Sequence, residues 1–186
     1  AGAVITWLSE DLKMIHSISD LEPACRAANP EDSTVLVPAF SGLSAPYWDN
    51  DAKAMFYGMS RTTGRNEIIK ATVESIAYQI TDVLNAMASD SGLNIDKVKT
   101  DGGPSNNTYL MQFLSNMVRT NVCVSSQEEL SAIGVGYLAG ITCGLYDKEE
   151  IFSHMEYKTY QNQLDTEHWK TCMDRWYDAI HTLLGK

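Results

Sequence analysis

Val98–Met117 reads VKTDGGPSNNTYLMQFLSNM. A strand-like stretch runs into Asp101, Gly102 and Gly103; polar residues follow, then an apolar stripe at helical spacing. The junction admits two readings. It is a plain strand-to-helix turn, or it is a place where a nucleotide lies against bare backbone. In open α/β sheets, anions and nucleotides lie beyond the carboxyl ends of strands, near helix N-termini whose free N–H groups point outward. Glycine lets a ligand approach the backbone with no Cβ in the way. Asn107 can offer both a donor and an acceptor to a ribose or a base. The chain has no G-x-x-x-x-G-K-S/T and no G-x-G-x-x-G, so the two commonest nucleotide folds have no support.

Outward from this junction, the periodicity predicts alternating strands and helices. A first helix is expected over 2–15, with Ile5, Leu8, Leu12 and Ile15 on one face. SDLE at Ser19–Glu22 has the capping-box pattern and predicts a second, short helix. STVLVPAF reads as a strand that Pro38 closes, and AMFYGMS as another. Ile69, Val73, Ile76, Ile80, Val83 and Met87 alternate steps of four and three, which predicts a long amphipathic helix over 66–89 that Gly92 ends. A strand NVCVSS follows the junction, and then a glycine-studded helix over 129–144. Gly136, Gly140 and Gly144 would share a face that lets a neighbour approach closely. Thr166 is expected to cap a last helix with Trp169, Met173, Trp176, Ile180 and Leu183 on one side. Strands alternating with helices imply α/β layering.

The chain has 186 residues, enough for one domain with a real core or for part of a larger one. Its formal net charge of −10 argues against duplex nucleic acid and anionic membranes, since both would repel this surface. Leu130–Tyr146 carries no charge, but it is shorter than the ~20 apolar residues of a membrane span and its flanks are acidic apart from Lys148, so a buried core helix is expected. Cys25, Cys123, Cys143 and Cys172 form no C-x-x-C pair, and the four histidines are scattered. Buried free thiols in a reducing cytosol are therefore expected, and a metal site built from nitrogen and sulfur is not. No signal peptide is visible, so the expected location is cytoplasmic. The opening AGAVITWLSEDLKMI enters abruptly into a helical pattern, which points to an upstream part.

Four stretches resemble the FGGY family of sugar and polyol kinases, in its glycerol kinase form. PAFSGLSAPYWD (Pro38–Asp49) is similar to the segment P-A-F-S/T-G-L-x-A-P-Y-W-D/E. FYGMSRTTGRNEIIKATVESIAYQ (Phe56–Gln79) resembles the family's second signature, a strand followed by a helix bearing A-x-x-E-S/A-I-A. DGGPSNNTYLMQF resembles the adenine-nucleotide loop, and ELSAIGVGYLAG (Glu129–Gly140) the helix E-x-S/T-A-L-G-A-A-x-L-A-G. Order and spacing also agree, up to the last helix.

The resemblance implies an actin-like, RNase H-like fold of two domains with ATP in the cleft between them. Residues 1–186 would be most of the second, nucleotide-binding domain, lacking its first strands. Gly2, Gly102, Gly103 and Asn107 fall at nucleotide-contact positions, and so does Thr6, where bacterial glycerol kinases often carry glutamine. Pro104 and Ser105 replace residues that are usually small and apolar, and Thr100 an aliphatic one. The polyol pocket, the carboxylate that binds Mg2+ and the aspartate base belong to the family's N-terminal domain, so no catalytic residue is assigned here. Asp101 is read as fixing the turn and Asp49 as a loop residue. Pro46, Tyr47 and Trp48 either pack internally or form an oligomer interface. NNT at 106–108 matters as a sequon only in a secreted chain.

Two functions of different class follow. One is the nucleotide-binding half of an ATP-dependent polyol kinase acting on glycerol, or on xylulose or gluconate as another sugar kinase of the family would. The other is a non-catalytic actin-like interaction module.

Overall fold

A computed structural model describes residues 2–126, 130–147, 151 and 156–185. The longest element, helix α3 (Arg65–Ser91), organises the rest. Gly64 precedes it with its N–H donated to Glu67 Oε2 at 2.8 Å, and Gly92 ends it at φ 67°. The glycine stop is the one the sequence signals; the helix overruns the expected bounds by one residue at its start and two at its end. Its character differs from the expectation. Residues 71–78 are buried all round, polar side chains included, because α2 (Leu21–Ala27), α4 (Thr108–Val118) and β1 (Val35–Val37) all pack on this stretch. The expected stripe fails at the far end, where Val83 and Met87 are exposed.

Among the described residues two small sheets pack on these helices, one on α3 and one on α4. β1 pairs antiparallel with β2 (Met55–Tyr57), Leu36 opposite Phe56. Val35, Leu36 and Val37 are all buried, and Pro38 follows them as a natural stop. The second sheet runs β3–β4–β5. β3 (Lys97–Thr100) and β4 (Asn121–Ser125) are parallel, with α4 as the crossover. β5 (Tyr157–Tyr160) lies antiparallel to β4. No expectation covered β5: its burial follows no two-residue alternation, Tyr157 and Tyr160 being half-buried and the residues between them exposed.

Several boundaries move. Helix α1 (Gly2–Thr6) passes into a wide π turn over Trp7–Asp11 and stops there, not at Ile15. Leu12 N–H reaches back to Trp7 O and Met14 N–H to Leu8 O, and Lys13 takes φ 53°. The widened turn shifts the phase, so Leu8 and Ile15 are buried while Leu12 is not. The capping box opens at Ser17, not Ser19: Asp20 Oδ2 accepts from the N–H groups of His16 (2.9 Å) and Ser17 (3.0 Å). The last helix, α6 (Thr166–Leu184), is capped by Asp165, whose Oδ1 accepts His168 N–H at 2.9 Å, and not by Thr166. Its predicted face holds, with Met173, Trp176 and Ile180 fully buried.

Helix α5 (Leu130–Thr142) departs furthest from its expected place as a buried core helix. Val135 is 69% exposed and Leu138 68%. Gly144 lies beyond the helix at φ 71°, so it does not share a face with Gly136 and Gly140. Gly140 is covered by the ring of Tyr146, folded back from the same segment. Glu129, the expected first residue, lies outside the described residues. No helix among the described residues is long and apolar enough to cross a membrane. All four cysteines are free thiols, but only Cys25 is fully buried; Cys143 is exposed. Burial, aided by the charge of Glu74, pushes the Cys25 thiol up to about 12.

Two buried carboxylates about two turns apart on α3 join these parts. Glu74 accepts the Tyr109 hydroxyl from α4 and lies 4.0 Å from Lys70. Asp82 Oδ2 accepts both Tyr47 Oη (2.6 Å) and Trp176 Nε1 (2.7 Å). Desolvation raises the pKa of both acids against the effect of their hydrogen-bond donors. An acid whose folded pKa is raised releases its proton at lower pH in the unfolded chain. Its contribution to stability is therefore greatest below the unfolded value and falls as pH rises to the folded value. Asp82→Asn removes this slope, so its melting temperature relative to wild type should climb between pH 4 and pH 7; a flat or falling difference contradicts the assignment.

β3 is an edge strand of its sheet among the described residues. Unpaired edges recruit other chains. Lys97 and Lys99 stand exposed on that strand, so salt should favour pairing. Light scattering on the 186-residue chain should show mass rising with concentration and with salt; a strict monomer throughout contradicts it.

Candidate functional site

β3 delivers the chain to the junction. Thr100, its last residue, points its hydroxyl at Met111 Sδ of α4, 3.4 Å away. Asp101 is exposed and leads into Gly102, at φ 84° and ψ 171°. That region of backbone space is essentially closed to residues with a Cβ. The Gly102 carbonyl accepts two bonds from Ser105, from its N–H at 3.0 Å and its hydroxyl at 2.7 Å. A 3-10 turn over Gly103–Asn106 follows, and Asn107 N–H closes it on Pro104 O at 3.2 Å. Ser105, which replaces a small apolar residue in the resemblance, thus has a local use: its buried side chain holds the turn.

A Cβ built on Gly102 or Gly103 meets no atom within 4 Å. The outer surface of the turn is open to a ligand. Beside it, a hollow of about 350 Å³ is lined by Lys99, Thr100, Asp101, Leu130 and Tyr157. Its size lies at the lower end of ordinary small-molecule sites. Lys99 Nζ lies 3.0 Å from Tyr157 Oη and 4.6 Å from that ring's centre, which holds both on one wall. A larger hollow, about 620 Å³, lies between Gly58 and α6, walled by Asp174 and Asp178. Arg175 also lines it, so its charge is mixed, and Gly58, whose Cβ would meet Ser33 O at 2.8 Å, offers no open backbone turn.

The amino end of α4 is filled. Asn107 is buried, and its Oδ1 accepts Leu110 N–H at 3.0 Å. Its acceptor is spent on the cap, so Nδ2 is the group it could turn to a ligand. Thr108 N–H is taken by Glu22 Oε2 at 3.2 Å, and Thr108 Oγ1 by Glu22 Oε1 at 2.5 Å. The Thr108 hydroxyl, and then Arg26, hold the Glu22 carboxyl below its ordinary pKa. A carboxylate already sits where a phosphate would dock on this helix. The site therefore suits an uncharged ring or ribose against Gly102 and Gly103 more than a phosphate against α4.

The structure brings Gly102, Gly103 and Asn107 together and leaves Gly2 and Thr6 on α1. Both are exposed, one turn apart, with Thr6 Oγ1 on Gly2 O at 3.3 Å. No hydrogen bond or ring contact among the described residues joins them to the turn. Asp49 sits in its loop, its Oδ1 accepting Asp51 and Ala52 N–H, both at 2.9 Å. Tyr47 points inward to Asp82, while Trp48 is 76% exposed. Sequence reasoning missed Glu22 and the acids of α3. Glu22 was placed in a capping pattern, and its partner lies 86 residues away, beyond any local signal.

Comparison with known proteins agrees with this layout. The family profile for the C-terminal domain of the FGGY family of carbohydrate kinases matches residues 1–143. A glycerol kinase of Haemophilus influenzae is 40% identical over 97% of this chain and 36% of its own length. That of Lactococcus lactis is 37% identical over 97% of this chain and 37% of its own. A crystal structure of Plasmodium falciparum glycerol kinase with ADP superposes at a TM-score of 0.88 and 30% identity, covering 98% of this chain and 37% of that one. A ligand-bound xylulose kinase from Lactobacillus acidophilus shares the fold at a TM-score of 0.80 and 20% identity. The chain spans a little over a third of the length of the relatives it matches. Its α/β layering is that of an actin-like, RNase H-like kinase domain, and the chain belongs to the FGGY family of carbohydrate kinases, matching that family's C-terminal domain.

Proposed function

We propose that residues 1–186 form the nucleotide-binding domain of a larger, two-domain, ATP-dependent polyol kinase, and that the Gly102–Gly103 turn receives the adenosine end of ATP or ADP. The observation that carries this reading is the open, Cβ-free turn at the carboxyl end of β3, beside the hollow lined by Thr100 and Asp101. Gly102 and Gly103 offer backbone to the ring, and Asn107 offers its Nδ2. Gly2 and Thr6 of α1 are proposed as contacts from a second wall. The filled end of α4 sends the phosphates away from this domain's helix, toward a facing domain.

Phosphoryl transfer requires charge neutralisation and positioning by parts brought together. Among the described residues no three His, Cys, Asp or Glu side chains gather to hold a metal. In this proposal Mg2+ is held by the nucleotide and the other domain, and this chain contributes no catalytic residue. Glycerol is the proposed substrate of the whole protein, on the strength of the PAFSGLSAPYWD segment and the glycerol kinases at 37–40% identity. A cytoplasmic location and assembly with further copies, with Trp48 at an interface, belong to the same reading.

Half a site binds weakly. Cleft closure normally supplies desolvation and charge complementarity, so the affinity of this chain for ADP should be about millimolar, roughly −4 kcal/mol. In an NMR titration, ADP should shift the Gly102, Gly103 and Asn107 resonances, and inorganic phosphate should shift them much less. Gly102→Ala forces a Cβ into a nearly forbidden conformation, at about 1–3 kcal/mol, and should weaken the ADP response several-fold. Equal responses to ADP and phosphate would mean a generic anion site. No response at these residues would reduce the glycines to a plain turn.

A further inference from the structure

We propose that Glu22 is a positioning residue for the Gly102–Gly103 turn, acting through Thr108; its role in binding rests on reading that turn as a nucleotide site. Glu22 belongs to α2, yet both of its oxygens meet the first residue of α4. Oε1 receives Thr108 Oγ1 at 2.5 Å and Oε2 receives Thr108 N–H at 3.2 Å. Arg26, one turn along α2, holds the same Oε1 with Nε at 2.9 Å and Nη2 at 2.7 Å. Arg26 Nη2 also lies 3.4 Å from Thr108 Oγ1. Three side chains thus form a closed triangle at the start of α4.

Thr108 follows Asn107 directly, and Asn107 is bonded back to Pro104 and forward to Leu110. Ser105 is bonded twice to Gly102. From Thr108 to Gly102 the path alternates peptide bonds with the Asn107–Pro104 and Ser105–Gly102 hydrogen bonds, so a shift of Thr108 is passed to the turn with little slack. The next anchor of α4, the half-buried Tyr109 on the buried Glu74, holds the helix body. Glu22 differs. Its side chain is 30% exposed and that of Arg26 59%, so its bonds can be removed without opening a cavity. An exposed ion pair alone is worth little to stability. What the triangle supplies is direction: it sets where the turn stands relative to α2.

The test uses the 186-residue chain, with Glu22→Gln, Thr108→Val and Thr108→Ser. Amide exchange at Ser105 and Asn107 is read without ligand, and ADP affinity by titration well below the melting temperature. Glu22→Gln should speed exchange at these two amides and weaken ADP binding by roughly three- to tenfold. Thr108→Ser, which keeps the hydroxyl, should behave as wild type. If Glu22 acts through Thr108, whose N–H a valine keeps, the double variant Glu22→Gln/Thr108→Val should lose clearly less than the sum of the two single losses. A Glu22→Gln chain with wild-type exchange and wild-type ADP affinity overturns the proposal, and so does a double variant whose losses add. A wild-type chain without any ADP response overturns the nucleotide reading alone, since the exchange measurement still decides whether Glu22 positions the turn.

Discussion

Two carboxylates buried on one helix carry much of the architecture. Glu74 and Asp82 are both buried on α3, and each is satisfied by donors from a different part of the chain. Tyr109 brings α4 to Glu74. Tyr47 and Trp176 bring the loop after β1 and helix α6 to a single oxygen of Asp82. Burying a carboxylate is costly unless it is well hydrogen-bonded, and removing one donor leaves an uncompensated charge. The apolar packing fills the same junctions: Tyr78 stacks on Trp176 at 5.1 Å and meets Phe113 of α4 edge-on at 5.4 Å. Apolar burial supplies the driving force, while the acids dictate which surfaces of α4 and α6 face α3.

The candidate site inherits its geometry from this frame. α4 is held along its body by Glu74 and at its tip by Glu22, and the turn before it is braced by the Ser105–Gly102 and Asn107–Pro104 bonds. The result is an unusual division of labour at a strand-to-helix junction. The helix end, which elsewhere attracts anions, is occupied by the protein's own carboxylate and an asparagine cap. The glycine backbone beside it stays bare. A ligand that lies on such a surface is recognised by shape and by neutral hydrogen bonds, which suits the nucleoside part of a nucleotide and leaves the phosphates to another wall.

Elements set by local chemistry were legible in the sequence. Gly92 stopping α3, Pro38 closing β1 and the apolar stripe of α6 each depend on one residue's backbone or on a simple period. Elements set by distant partners were not. SDLE looks like a capping box, but Glu22 is bound to Thr108, so the cap falls to Ser17 and Asp20. Asp165 takes the cap expected of Thr166 because its side chain reaches His168 N–H first. β5 has no alternating pattern to announce it, and α5, apolar on every side, carries no signal of which face is covered. At the junction the glycines were legible as candidates, but neither the cap that Asn107 makes on Leu110 N–H nor the φ of Gly102 could be read from residue types.

The central claim is that α3, α4 and α6 form one cooperative unit through Glu74 and Asp82. Native-state hydrogen exchange tests it most directly. Amides of α3 between Ile69 and Asp82, of α4 between Leu110 and Met117, and of α6 between Met173 and Ile180 should exchange with a single shared free energy, and Glu74→Gln should lower it for all three helices together. Exchange of α4 or α6 at a clearly lower free energy than α3, or a Glu74→Gln effect confined to α4, would contradict the account.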